Sequence, residues 1–126
     1  MNEYLWEEYI LEIYGVGSLI IGFNRAEAFS LLNEIERLEY IDTYVIRRGD
    51  YVEIPLKIKK GGIGRPGVFE RGDLLYNIPL NNLTIPLKKM EVAEASYSLV
   101  GKVIEGIEYL DRLGRVTKAV LKKRIK

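Results

Sequence analysis

Residues 97–116, Y-S-L-V-G-K-V-I-E-G-I-E-Y-L-D-R-L-G-R-V, decide the fold of this chain. The first half alternates as a β-strand does, and four residues fall on one face: Tyr97, Leu99, Gly101 and Val103. Gly106 breaks the alternation, and apolar residues then recur at helical spacing at Ile107, Leu110 and Leu113. Gly114 stands where a glycine commonly ends a helix. The stretch therefore predicts a strand, a glycine corner, a short helix and, from Val116, a final strand to residue 125.

The N-terminal part predicts a β-hairpin followed by a helix. Residues 8–14 and 19–23 alternate around the turn 15–18. Asn24, with Glu27 three positions later, has the pattern of a helix N-cap. An apolar stripe at helical spacing then predicts a helix to about residue 37: Ala28, Leu31, Leu32, Ile35 and Leu38.

Four further strands follow. Residues 41–45 and 52–58 form a second predicted hairpin around Gly49 and Asp50, with Tyr51, Glu53 and Lys57 pointing outward. Residues 59–72 are expected to be a long, irregular, glycine-rich loop. Strands at 74–78 and 83–87 come next, and Pro86 predicts that the second is an edge strand or contains a break in pairing. Residues 88–94 are expected to be a connection.

The sum is eight strands and two helices without a regular βαβ alternation. This pattern favours a mainly β fold, a closed or nearly closed eight-stranded barrel with two helices capping its ends. At 126 residues we expect a single domain over 1–126, with residues 1–7 as an extension before the barrel.

Composition excludes several kinds of chemistry. The chain has no Cys and no His, so it lacks disulfides, thiol nucleophiles, imidazole bases and the usual zinc ligands. We expect no cofactor and no metal. The formal net charge of +1 argues against nucleic acid as a partner. No apolar run is long enough to span a membrane, and the acidic N-terminus does not resemble a targeting signal, so a cytoplasmic location without membrane partners is expected.

The two ends of the chain carry opposite charge. Four glutamates and no basic residue lie in the first twelve residues, and seven basic residues and no acid lie in the last fifteen. The ends are either neighbouring strands with matched charges, which we favour, or a basic tail that binds an anion. Abundant Ile, Lys and Glu without Cys also suggest a thermophilic source.

One glycine-rich motif matches a dinucleotide-binding pattern, but the sequence that follows it argues against such a site. Gly62, Gly64 and Gly67 match G-x-G-x-x-G, but a dinucleotide site needs a helix directly after the motif, and a strand pattern follows here. With lysines and an arginine nearby, the loop is either an anion-binding nest or a solvated loop, and the second is favoured.

Polar and aromatic residues give two candidate surfaces. Arg47, Arg48, Tyr51 and Glu53 either line a pocket or form a solvated strand face with paired charges. Aromatic residues crowd the N-terminus and suit either a protein interface or the rim of a barrel core: Tyr4, Trp6, Tyr9 and Tyr14.

Two motifs resemble a known family. L-V-G-K-V-I-E-G at 99–106, followed by a helix, resembles the C-terminal signature of cyclophilins. G-D-L-L-Y-N-I-P-L-N-N-L at 72–83 resembles the G-D-x-x-Y-W-P-P-G-N-x-L segment of short prokaryotic cyclophilin-like proteins, with Asn77 in place of the tryptophan. The resemblance implies a cyclophilin-like barrel. The F-H-R, M-I-Q-G-G-D and Q-F-F-I segments of catalytic cyclophilins are absent, so no catalytic residue is carried over.

Three functional hypotheses follow. The first is a non-catalytic protein that binds a small ligand or peptide through Arg47, Arg48, Tyr51, Glu53, Tyr76 and Asn81. The second is a weak peptidyl-prolyl cis-trans isomerase in which an arginine of the second hairpin supplies the cation. The third is a homodimer formed by the N-terminal aromatic residues and an edge strand near Pro86.

Overall fold

The computed structural model describes residues 5–58 and 60–125, which form nine strands and two short helices. In chain order these are β1 Trp6–Ile13, β2 Gly17–Asn24, α1 Phe29–Glu36, β3 Tyr40–Arg47, β4 Tyr51–Pro55, β5 Arg65–Phe69, β6 Asp73–Asn77, β7 Asn82–Pro86, β8 Met90–Glu105, a 3₁₀-helix Ile107–Arg112 and β9 Val116–Lys123. Neither helix has the length and apolar character needed to cross a bilayer.

The strands form a closed antiparallel barrel. Their order is β2-β1-β9-β3-β4-β7-β6-β8-β5, and β2 pairs with β8 to close the ring. Eight strands build the barrel and β5 lies outside it. The sequence-based prediction of a mainly β, eight-stranded barrel with two helices is therefore confirmed.

Alternating apolar residues fill the interior. Along β1, for example, Tyr9, Leu11 and Ile13 are buried and point into the core. The two ends are closed by helices, as their apolar residues show: Leu31, Leu32 and Ile35 of α1 and Leu110 of the 3₁₀-helix are all buried in the same cluster. Burial of these side chains is the main favourable term for the fold.

Matched charges join the first and last strands. Strand β1 pairs with β9 in antiparallel register, with Glu12 opposite Val120. Three ion pairs cross this seam: Lys122 with Glu12, Lys123 with Glu7 and Arg124 with Glu8. The prediction that the acidic and basic ends lie side by side as strands is confirmed for the described residues as far as Arg124.

The stretch 97–116 closes the barrel because two of its glycines permit close approach. Strand β8 is longer than predicted, since it begins at Met90 within the expected connection 88–94. A Cβ on Gly101 would lie 1.9 Å from the carbonyl oxygen of Gly22, so only glycine fits where β2 and β8 meet. Gly106 turns the chain into the 3₁₀-helix with φ of 90°, a conformation that glycine adopts readily.

Helix α1 starts later than its capping pattern predicts. The side chain of Asn24 accepts hydrogen bonds from the amides of Ala26 and Glu27, as an N-cap does, but it caps a turn rather than the helix. The helix begins at Phe29, and Leu38 lies outside it with its side chain 39% exposed. Gly114 likewise does not cap the 3₁₀-helix, because Leu113 occupies that position in an extended conformation.

Three strand predictions also need correction. Residues 59–72, expected to be irregular, contain β5, although Lys59 itself lies outside the described residues. Strand β7 is not an edge strand, because it lies between β4 and β6. The alternative, a break in pairing, fits better, since pairing with β6 ends at Thr84 and Pro86 is the last residue of β7. The barrel begins at Trp6, within the extension predicted for 1–7, of which residues 1–4 are outside the described part.

Candidate ligand-binding site

The six residues predicted to bind a ligand lie in three places. Arg48, Tyr51 and Glu53 lie on or beside the outer face of β4. Arg47 points instead toward the 3₁₀-helix, where it donates to the carbonyl of Asp111 at 2.9 Å. Tyr76 and Asn81 lie together at the β6–β7 turn, as a third group.

Glu53 is buried on the outside of the barrel, where an exposed side chain was predicted. Its side chain is 9% exposed and pairs with Arg48 at 2.7 Å. Asn82 donates from Nδ2 to the other carboxylate oxygen at 3.2 Å, and the hydroxyl of Thr84 donates to the amide oxygen of Asn82 at 2.9 Å. The hydrogen bond and charge of Glu53 raise the pKa of Arg48. A continuous polar chain therefore runs across β4 and β7.

Tyr97 extends this chain onto β8. Tyr97 lies opposite Asn77 in the register of β6 with β8. Burial raises the pKa of Tyr97, and the charge of Glu53 adds to this. We name these polar residues the outer-wall network: Arg48, Glu53, Asn77, Asn82, Thr84 and Tyr97. Each of its hydrogen bonds satisfies a group that would otherwise be costly to bury.

An aromatic ring of β5, the strand that pairs with the first part of β8, packs against the outer-wall network. Phe69 of β5 is 4% exposed but does not belong to the barrel core, and its ring meets that of Tyr97 edge to face at 6.1 Å. Leu75, on the outer face of β6, is also fully buried outside that core. This wall of the barrel is thus occupied by the chain's own side chains.

Tyr76 and Asn81 fix the start of the glycine-rich segment. The Tyr76 hydroxyl lies 2.9 Å from the carbonyl oxygen of Lys60 and 2.8 Å from Oδ1 of Asn81, and it accepts a bond from the Lys60 amide at 3.2 Å. Burial raises the pKa of Tyr76, which the bond from the Lys60 backbone partly opposes. Asn81 has φ of 53°, a left-handed conformation that asparagine tolerates in turns.

An open groove adjoins Tyr76, between the start of α1 and the glycine-rich segment. Its volume is about 570 Å³, and we name it the α1 groove. Its principal lining residues are Phe29, Leu31, Ile63, Tyr76, Ile78 and Val100. Phe29 and Ile63 are 66% and 92% exposed, whereas Leu31, Tyr76 and Val100 belong to the buried core. The groove therefore presents apolar surface to solvent above a packed floor.

Sequence reasoning found Tyr76 but missed Phe29 and Ile63. Phe29 lies beside the apolar stripe of α1 rather than in it, and a large aromatic residue off the buried face of a helix is a usable signal. The sequence gives a weaker signal for Ile63, because this residue lies between glycines in a segment without periodicity. Within residues 5–58 and 60–125, no group of three acidic side chains is placed to hold a metal ion.

Comparison with known proteins shows the fold. A hypothetical protein of Archaeoglobus fulgidus, solved in solution, matches with a TM-score of 0.80 and 14% identity over 98% of this chain and 100% of that one. A cyclophilin-type peptidyl-prolyl cis-trans isomerase of Cryptosporidium parvum matches with a TM-score of 0.66 and 12% identity over 96% and 99%. The barrel is cyclophilin-like.

These similarities do not extend to a sequence family. No protein-family model matches the chain, and no curated protein matches it significantly. The short prokaryotic cyclophilin-like family, to which the motifs at 72–83 and 99–106 pointed, therefore has no support at the family level beyond the shared fold. Because their sequences are only 14% and 12% identical to this chain, the two solved structures show a shared fold and nothing about function.

Proposed function

We propose that this protein is a non-catalytic binding protein that holds a small apolar ligand, or an apolar side chain of a peptide, in the α1 groove. The observation that supports this is the exposure of Phe29 and Ile63 on the walls of one groove of about 570 Å³. Small-molecule sites are typically concave and mostly apolar, with volumes of about 300–1,000 Å³.

Polar groups at the edge of the groove give it a means of orienting a ligand. Ser98 and the backbone of Gly61 and Gly62 line it beside the apolar residues. Glycine backbone can approach a ligand closely and offers amide donors and carbonyl acceptors. The outer-wall network contributes less to this function, because its carboxylate and amides already bind one another.

The test is an NMR titration of the ¹⁵N-labelled protein with two probes, indole and the tetrapeptide Ala-Ala-Pro-Phe. We expect saturable shifts of the amides of Phe29, Leu31, Ile63 and Val100. Phe29→Ala should weaken binding about tenfold, since part of the apolar contact is lost. Saturation at amides elsewhere, or none at millimolar probe, would contradict the proposal.

A matched control separates this groove from general surface stickiness. Val116 is 59% exposed, close to the 66% of Phe29, and it lies on β9, which contributes nothing to the groove. Val116→Ala should therefore leave the affinity for both probes unchanged. An equal loss in the two variants would mean that the probes bind exposed apolar surface without a defined site.

A further inference from the structure

The barrel wall opens between β3 and β4. Pairing between these strands is confined to Ile46 opposite Glu53 and Arg47 opposite Val52. Continuing that register would place Tyr44 opposite Pro55, which has no N–H and cannot extend the ladder. The hydroxyl of Thr43 instead donates to the carbonyl of Pro55 and spans the gap. The result is a cleft of about 420 Å³, which we name the β3–β4 cleft.

Two tyrosines border this cleft in one row across the sheet. Tyr44 is paired with Lys118 of β9, and the amide of Tyr14 donates to the carbonyl of Lys118 at 3.0 Å. Both tyrosines line the cleft and are half-exposed. Their rings are thus available to a planar group, because aromatic side chains of this kind stack on rings that enter beside them.

The lysines of the cleft differ from the other lysines of the same sheet. On β9, Lys122 pairs with Glu12 and Lys123 pairs with Glu7. Lys118, on the same strand, and Lys57, across the gap, form no ion pair with any residue in 5–58 or 60–125. Both line the cleft, so two cations without an acidic partner lie beside the two tyrosine rings.

One acid completes the lining. Asp42 precedes Tyr44 by two residues on β3, so both side chains lie on the outer face of the strand. A carboxylate at this point accepts hydrogen bonds from hydroxyl or amino groups of a ligand. With Lys57 and Lys118 the lining carries a net positive charge, which favours an anionic ligand that also has donors.

We propose that the β3–β4 cleft binds a nucleoside monophosphate, a ligand that combines a planar aromatic base, a sugar and a phosphate. The ring stacks on Tyr14 and Tyr44, Lys57 and Lys118 take the phosphate, and Asp42 accepts from the sugar hydroxyls or a base amino group. The cleft volume of about 420 Å³ lies in the range of small-molecule sites. This site is separate from the α1 groove, with which it shares no lining residue.

The experiment titrates the ¹⁵N-labelled full chain with adenosine monophosphate, adenosine and inorganic phosphate. We expect saturable shifts at Asp42, Tyr44, Lys57 and Lys118 with adenosine monophosphate, and at least about tenfold weaker binding of each fragment, because stacking and charge are then separated. If inorganic phosphate bound as tightly as adenosine monophosphate, stacking on the tyrosine rings would not contribute to binding and the proposal would be contradicted. If adenosine bound as tightly as adenosine monophosphate, the lysines would not contribute to binding and the proposal would likewise be contradicted.

The sheet supplies a closely matched control. Tyr40 and Lys122 form a second tyrosine–lysine pair on the same face of β3 and β9, but Lys122 is bound by Glu12 and neither residue lines the cleft. Lys118→Gln should weaken binding of adenosine monophosphate about tenfold, whereas Lys122→Gln should not change it. Equal effects of the two variants would overturn the proposal, as would binding that survives Lys118→Gln unchanged.

Two further variants test the cleft from both sides. Lys57→Gln removes the cation on the β4 side of the cleft, and Tyr44→Ala removes one of its two rings. Both side chains are exposed in the structure. Each variant should therefore keep the dispersed NMR spectrum of the folded protein. Each should weaken binding of adenosine monophosphate about tenfold. Wild-type affinity in both variants would place the ligand elsewhere.

Discussion

Nζ of Lys123 lies 2.8 Å from Oε1 of Glu7, which joins the last strand of the barrel to the first. The side chain of Glu7 is 9% exposed and also binds Arg25. Burial by itself raises the pKa of Glu7, but the hydrogen bonds and charges of Lys123 and Arg25 outweigh it and hold that pKa below its ordinary value. The same contact with Glu7 raises the pKa of Lys123.

Acid should weaken the contribution of this contact to stability. Because the pKa of Glu7 is lower in the folded state, its contribution is complete above the unfolded pKa of about 4.3 and is lost as pH falls through the folded pKa. Glu7→Gln should lower the free energy of unfolding by about 1–3 kcal/mol at pH 7. In urea titrations the difference in free energy of unfolding between Glu7→Gln and the wild type should decrease as the pH is lowered to 2.

The control is Glu12→Gln on the same strand. Glu12 and its partner Lys122 are 42% and 46% exposed, and exposed pairs contribute about 0–1 kcal/mol. Its substitution should therefore lower the free energy of unfolding less than Glu7→Gln does at pH 7. A Glu7→Gln effect that stays constant between pH 7 and pH 2 would show that the side chain matters through packing and not through its charge.

Gly101 should be the least replaceable glycine at the barrel closure. Its missing Cβ would lie 1.9 Å from a backbone oxygen of Gly22, and two paired strands cannot move apart without losing ladder hydrogen bonds. Gly101→Ala should lower the free energy of unfolding by more than about 3 kcal/mol or prevent folding. Gly114→Ala, with no atom within 4 Å, should change the melting temperature little. Similar thermal melts for the two variants would refute this account of closure.

Much of this barrel could be predicted from local pattern because strands such as β1 and β3 alternate between buried and more exposed residues. Alternation placed Leu11, Ile54 and Leu83 in the core, and the charge difference between the chain ends predicted the β1–β9 seam. The glycine corner at Gly106 followed from the break in alternation. The alternation and the corner are short-range signals, and the charge of each chain end is read from its composition, so a single sequence reveals all three.

The parts that could not be predicted depend on long-range packing. Strand β5, with Pro66 and Gly67, lacks an alternating pattern and gains its structure from pairing with β8. Glu53 was predicted to be exposed, because its place on the outward side of β4 does not reveal that it is buried and bound by Arg48 and Asn82. The candidate site was therefore predicted as one surface, whereas the structure divides it between the outer wall, the 3₁₀-helix and the β6–β7 turn.

Tyr9 should tolerate the loss of its hydroxyl. The residue is 2% exposed, and its oxygen is buried without a hydrogen-bond partner among the described residues. Burial raises the pKa of Tyr9, and the nearby charges of Glu36 and Glu7 add to that effect. Tyr9→Phe removes an unsatisfied polar atom and should leave stability unchanged or raise it by up to about 1 kcal/mol in urea unfolding.

Tyr76→Phe is the matched comparison for Tyr9→Phe. Both rings belong to the core, but the Tyr76 hydroxyl has partners at 2.8 and 2.9 Å on Asn81 and Lys60. Its removal should cost about 1–2 kcal/mol, because the hydrogen bond between the hydroxyl and the partly buried carbonyl of Lys60 is lost. A greater loss from Tyr9→Phe than from Tyr76→Phe would reveal a partner for the Tyr9 hydroxyl.

Prolyl isomerisation should not be accelerated by this protein. The reaction needs a cation facing the prolyl amide, and the two arginines considered for that role are already engaged. Arg47 donates to the backbone of Asp111 at 2.9 Å, and Arg48 pairs with Glu53 at 2.7 Å. With a cyclophilin-type isomerase as positive control, a proline-peptide assay at micromolar protein should give the uncatalysed rate. Acceleration that disappears in Arg48→Met would instead assign weak isomerase activity to this hairpin.

Self-association should be governed by β5, the strand at the end of the sheet order. One of its edges pairs with β8, and the other has no strand partner among residues 5–58 and 60–125. Exposed Arg65 and Pro66 protect that edge, because a charge and a missing N–H both oppose pairing with another chain. Of the N-terminal aromatic residues and the edge strand expected to form a dimer interface, Tyr9 lies in the core and Pro86 in an interior strand, whereas Tyr14 is exposed and Tyr4 lies outside the described residues.

Light scattering should accordingly report the 14.5 kDa monomer for the wild type, and larger species for the double variant Arg65→Val with Pro66→Val. Pro79→Val is the control, since Pro79 is exposed in the β6–β7 turn and protects no strand edge. It should remain a monomer under the same conditions. A wild-type dimer that the double variant leaves unchanged would place the self-association surface away from β5.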